Sequence, residues 1–97
     1  MGILVADEKK FNNGLVLSDF VMSVKGCIME VLKIQSTTIY RVFYKVYYYL
    51  NQNAYVAGNE HIETELKHLD VEGDISGSIF TLIYNNIKSE YLNTTDI

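Results

Sequence analysis

The chain of 97 residues has one cysteine, no proline and no tryptophan. Cys27, being alone, cannot form an internal disulfide or a cysteine zinc cluster. A single thiol among apolar neighbours reads as core packing. No run of about 18 apolar residues occurs, so no transmembrane helix is expected. No basic region followed by a long apolar stretch opens the sequence, so no signal peptide is expected. The chain reads as made and kept in a cytoplasm unless an assembly carries it out. Cations are outnumbered, 8 Lys and Arg against 12 Asp and Glu, for a net charge of -4. Phosphate contacts need cations, which disfavours a general nucleic-acid binder.

Catalytic and cofactor patterns are missing too. There is no G-x-S-x-G, no G-x-G-x-x-G and no phosphate-binding loop. Gly73, Ser76 and Gly77 hint at an anion site before a helix, but the neighbouring Glu72 and Asp74 argue against phosphate there. His61 and His68 flank a carboxylate-rich strand with Glu63, Glu65 and Asp70. Seven apart on a strand, the two rings should point to opposite faces, and the spacing fits no familiar metal site. No catalytic residue, metal or cofactor is expected, and the chain reads as not an enzyme.

What is present is tyrosine, eight of them, with a cluster in Thr37–Leu50, TTIYRVFYKVYYYL. One alternating set is Tyr40, Val42, Tyr44, Val46, Tyr48 and Leu50, all apolar or aromatic. The other is Ile39, Arg41, Phe43, Lys45, Tyr47 and Tyr49. A period of two in β-branched and aromatic residues marks a strand. The first set wants a core. The second is too aromatic for a wet face and too charged for a second core, so it reads as a contact face built from Arg41, Phe43, Lys45, Tyr47 and Tyr49.

The rest arranges itself around that strand. Gly2 to Ala6 is a short strand or part of an N-terminal arm over residues 1–13, and Asn12-Asn13-Gly14 is a turn. From Phe20 to Ile34, the residues Phe20, Met22, Val24, Ile28, Leu32 and Ile34 share one parity, interrupted by Gly26 and Glu30. Gly26 marks a bulge, a kink or a break. The economical topology is a long hairpin, Phe20–Ile34 against Thr38–Leu50. A strand of about 13 residues spans roughly 43 Å, far beyond a compact domain of this size, so such a hairpin must curl, break or project. Asn51 to Gly58 reads as a polar stop, a helical turn and a glycine exit, with Tyr55 and Val56 pinned to the sheet. Ile62, Thr64 and Leu66 then alternate with Glu63, Glu65 and Lys67, the charged set being the solvated face. Glu72-Gly73-Asp74 is a turn. Asp74 or Ser76 caps a final helix whose stripe is Ile79, Phe80, Ile83, Tyr84, Ile87 and Tyr91. Residues 93–97 read as a tail. The expected fold is one α+β domain over 1–97: a mainly antiparallel sheet with a long hairpin and one C-terminal helix packed on it.

Charge is uneven along the chain. Residues 1–50 carry six cations and four anions, residues 51–97 two cations and eight anions. Copies could pack basic end to acidic end, or the asymmetry could be solvated within one monomer.

Several short motifs occur in a characteristic order: FNNGLVLSDFVMSVKG, then YKVYYYLNQNAYVAGNEHIE, then SIFTLIYNNIKSEYLNTTDI. This order resembles small structural proteins of tailed bacteriophages, which open after a Phe-x-x-Gly turn, continue through a tyrosine-rich strand and end in an Ile-Tyr-x-x-Ile-Lys helix. The resemblance implies a minor virion component of the tail or baseplate, without an enzymatic site. It would be a homo-oligomer that meets other virion proteins and passes through the host cytoplasm before assembly. Two other functions fit the composition. One is an acidic binder of a host protein, acting through Glu60, Glu63, Glu65, Asp70 and Glu72. The other is a single-stranded nucleic-acid module using Lys33, Arg41 and Lys45 beside Phe43, Tyr47 and Tyr49. No membrane or small-molecule partner is expected.

Overall fold

A computed structural model describes residues 2–72 and 78–97. The elements are β1 (Ile3–Val5), β2 (Lys9–Lys10), β3 (Val16–Leu17), β4 (Phe20–Ile34), β5 (Thr37–Tyr49), α1 (Gln52–Val56), β6 (Glu63–Glu72), α2 (Ile79–Lys88) and β7 (Thr94–Asp96). Five strands form one antiparallel sheet in the order β6-β5-β4-β1-β7, and β2 and β3 form a small separate ribbon. The fold is α+β, mainly antiparallel sheet, with α2 laid across one face. Gly73 and Asp74 of the expected Glu72-Gly73-Asp74 turn, and the expected caps Asp74 and Ser76, lie outside the described residues, while Glu72 ends β6. α2 begins after Ser78, whose side chain makes no capping bond.

The tyrosine-rich stretch is β5, an inner strand between β6 and β4. Its even residues Val42, Tyr44, Val46 and Tyr48 are buried with Phe20, Met22 and Val24 of β4, Ile3 and Val5 of β1, and Ile83, Tyr84 and Ile87 of α2. Phe11, from the ribbon's turn, fills the root end of this core, edge-on to Phe20 at 5.3 Å and to Tyr48 at 5.1 Å. The turn bringing it there depends on Gly14, whose φ of +91° suits glycine.

The hairpin is continuous through Gly26, but with a bulge. Val24 pairs with Val46 and Cys27 with Tyr44, so β4 advances three residues while β5 advances two. One inserted residue moves every later side chain to the opposite face. Phe20, Met22 and Val24 therefore face α2, whereas Ile28, Leu32 and Ile34 face away from it, correcting the single parity expected for these six. Val24 N–H donates to the Tyr84 hydroxyl at 2.9 Å, so a helix side chain satisfies a backbone donor just before the bulge.

Three further expectations change. Of the arm expected over residues 1–13, the described part, 2–13, is not an arm: Ile3 and Val5 are fully buried, because β1 is inserted between β4 and β7. Residues 93–97 are not a tail: Thr94–Asp96 pairs with β1, and Asp7 clamps the approach by accepting from Leu92 N at 2.6 Å, Asn93 N at 3.1 Å and Asn93 Nδ2 at 2.9 Å. Those bonds hold the Asp7 carboxyl below its ordinary value, the Asn93 side chain contributing most. On β6 the faces are inverted. Register with β5 sets Lys67 opposite the buried Tyr44 and Leu66 opposite Lys45. Lys67 thus lies beside the end of α2, its ammonium 2.6 Å from Glu90 and 3.2 Å from Glu65, while Leu66 is 74% exposed. Glu65 and Lys67 are accommodated there because they are paired rather than solvated. Burial alone would lower the Lys67 ammonium, but the two carboxylates offset it and hold it above its ordinary value.

The molecule measures 46 × 26 × 24 Å, with a radius of gyration of 14.8 Å. A compact chain of this length would give about 12–13 Å, so the excess is the hairpin projecting from the globule. β1 pairs only with Phe20–Met22, leaving the outer side of β4 without a strand partner beyond it among the described residues.

Candidate assembly face

The site follows from the odd residues of β5, which point away from α2. Of the five expected contact residues, Arg41, Phe43, Lys45 and Tyr47 share this open face. Tyr49 belongs to the same parity but is only 4% exposed. The chain turns back after β5, and α1 lays the Tyr55 ring over Tyr49 at 5.1 Å between centroids. α1 is held in place by Asn51, whose side chain accepts from Ala54 N at 2.8 Å. Tyr55 also packs against Gly2, where an added Cβ would come within 3.2 Å of the ring. Tyr49 is thus internal packing rather than contact surface. Val56, expected to pin α1 alongside Tyr55, is 75% exposed.

Lys25, at the bulge, stands over this aromatic row, its ammonium 4.7 Å from the Tyr47 centroid and 5.7 Å from that of Tyr49. Lys45 reaches Tyr47 from the other side, at 5.6 Å. Both interactions are cation–π contacts. Hydrogen bonding to Tyr49 and the nearby phenols hold the Lys25 ammonium above its ordinary value. Further along, Arg41 binds Asp70 through two parallel bonds of 2.8 and 3.1 Å. This bidentate pair holds the Asp70 carboxyl below, and the guanidinium above, their ordinary values.

Around the two lysines lies a groove of about 500 Å³, lined by Ile28, Phe43, Lys45, Tyr47, Leu66 and Lys25 among others. Ile28 and Leu66 contribute its most exposed apolar area, and sequence reasoning missed both. The bulge hid Ile28, and only the pairing with β5 sets the face of Leu66. Lys25 carried a signal, its place beside Gly26, but alternation gives no face to a residue at a bulge.

Both histidines lie on this same face, contrary to the expectation of opposite faces. His61 packs its ring on Tyr47 at 5.0 Å and His68 on Phe43 at 5.9 Å. His61 precedes β6, so strand alternation does not govern it. Among the described residues no group of three or more His, Cys, Asp or Glu is placed to hold a metal. Cys27 is half-buried against the core.

The other two candidate sets are split by the fold. Register puts Glu63 and Glu65 on the helix side of β6 and Asp70 and Glu72 on the open side. Lys33 pairs with Thr38 and points away from Arg41 and Lys45. Among the described residues no helix is long and apolar enough to cross a membrane. Comparison of the chain with protein-family models, with the curated proteins and with solved structures finds no match.

Proposed function

We propose that this protein is a non-enzymatic assembly component that associates with copies of itself, and with other structural proteins, through the open face of its hairpin. One observation carries the reading. The distal half of the hairpin leaves Ile28, Met29, Val31 and Ile34 between 48% and 71% exposed, on both faces of a projecting arm. Such an arm wins no burial from its own globule, whereas a neighbour could supply it. The phage-like motif order supplies a setting, a minor virion component of the tail or baseplate, made in the host cytoplasm.

The test begins with wild-type protein, whose mass by light scattering should exceed that of a monomer at high concentration. Ile28→Ser with Phe43→Ala should lower that mass while circular dichroism stays the same. Tyr49→Ala is unsuitable, since it opens the packing under α1. A monomeric wild-type protein would sink the assembly reading. Mass spectrometry of purified particles, with the chain absent, would sink the virion setting alone.

A further inference from the structure

The open face is electrically lopsided along its length. At its root stand Lys25 and Lys45, for which no ion-pair carboxylate appears among the described residues. In the middle is an apolar band, the pair Ile28 and Phe43, with Leu66 beside Lys45 at its root side. Toward the tip come Glu30, Asp70 and Glu72 against one cation, Arg41, which already holds Asp70. Register places Glu30 and Asp70 on either side of Arg41, and Glu72 beside Ile39. The strand-borne charge therefore runs from positive at the root to negative at the tip, with the apolar band between.

From this pattern we infer that the open face pairs with the same face of a second copy about a two-fold axis crossing the strands near Phe43. The inference rests on the assembly reading and specifies its geometry. A two-fold axis there reverses strand direction in the partner sheet, bringing the root of each copy over the tip of the other. Lys25 and Lys45 come over the partner's tip, where the three carboxylates of Glu30, Asp70 and Glu72 outnumber the one cation, Arg41, and the reciprocal contact follows by symmetry. The two apolar bands meet at the axis, where sheets stacked face to face lie about 10 Å apart. The opposite choice, root over root, would stack four lysines and leave the carboxylates facing each other. Like charges juxtaposed across an interface cost several kcal/mol, so electrostatics selects one orientation from a face that is apolar enough for either. α1 sets the near limit of the contact by covering Tyr49.

A charge-swap experiment tests this directly. One variant carries Lys25→Glu and Lys45→Glu; a second carries Glu30→Lys and Glu72→Lys. All four positions are exposed, and circular dichroism should match wild type. Each variant alone carries net charge of the same sign at root and tip and should dimerise roughly a hundredfold more weakly than wild type. Mixed in equal amounts they should recover a dimer, because each root then meets an oppositely charged tip. The variant carrying all four changes should dimerise by itself. Dimers of wild type should also weaken as salt rises. If wild type associates but both variants keep its mass, or if the mixture stays monomeric, this geometry is overturned and the assembly reading survives. If wild type remains a monomer at every concentration, both fall.

Discussion

The two halves of the hairpin are built from similar residues and meet different fates. At the root, Val21, Met22 and Val24 pair with Val46 to Tyr49, with α2 covering one side and α1 part of the other; Val21, Met22, Val46 and Tyr48 have no exposure at all. In the distal half, Ile28, Val31 and Ile34 of β4 stand out from the globule against Thr37–Phe43 of β5. The backbone ladder is the same in both. What differs is whether a second layer reaches the strands, and the ten-residue α2 is too short to follow a ribbon that runs the length of a 46 Å molecule. Hydrogen bonding thus extends the strands, while packing decides which part of them contributes to the stability of the monomer.

Changes at the root should be the most costly. Phe20→Ala removes a fully buried ring that touches Phe11, Tyr48 and Tyr91, and should destabilise by about 3–5 kcal/mol in urea denaturation. A loss below about 1 kcal/mol would show that the root is loosely packed. Tyr84→Phe takes the hydroxyl from Val24 N–H and should cost about 1–3 kcal/mol, with hydrogen exchange rising first at the amides beside the bulge. Gly26→Ala marks the boundary between the halves. An added Cβ there meets nothing within 4 Å, so the change should be neutral or stabilise by about 0.4–1 kcal/mol through the unfolded chain. Marked destabilisation would show that the bulge needs glycine. In the distal half, Ile28→Ser with Val31→Ser should move the stability of the dilute monomer by less than about 0.5 kcal/mol per site. A large loss would mean that the arm folds back onto the globule.

Acid should give the smallest effect. Asp70 has its carboxyl lowered by Arg41, so the pair's contribution is complete above the ordinary carboxylate value of 3.8 and fades as pH falls through the lower folded value. Both side chains are well exposed, and salt screens the pair. Amide protection in the distal strands, corrected for the intrinsic pH dependence of exchange, should therefore fall slightly at low pH in wild type and be flat over that range in Asp70→Asn. Identical profiles would show that the pair does not hold the arm.

Much of this was legible from alternation alone. The β5 faces, the hairpin partners, α1 with its Asn51 start, and the α2 stripe each follow from a pattern sustained over several residues. The short edge pieces were not, because three residues such as Ile3–Val5 or Thr94–Asp96 give no periodicity to distinguish a strand from an arm or tail. The helix side of β6 was misread for a different reason. Alternation shows that Glu65 and Lys67 share a face, but not that Glu90 waits beside it. In the candidate site, Arg41, Phe43, Lys45 and Tyr47 could be grouped from spacing, whereas Ile28 and Leu66 could not.

By itself, the order of residues determined that a long aromatic strand would form, that its even positions from Val42 to Tyr48 would be buried, though not Leu50 at its end, and that it would outreach a domain of this size. Those are local consequences of side-chain alternation and strand rise, which need no knowledge of distant neighbours. Tertiary structure alone decided that one extra residue near Gly26 turns the outer half of β4 over, that Tyr55 covers Tyr49, and that lysines gather at one end of the open face with carboxylates at the other. Each depends on register between strands distant in sequence, and register is chosen by the packing of the whole sheet.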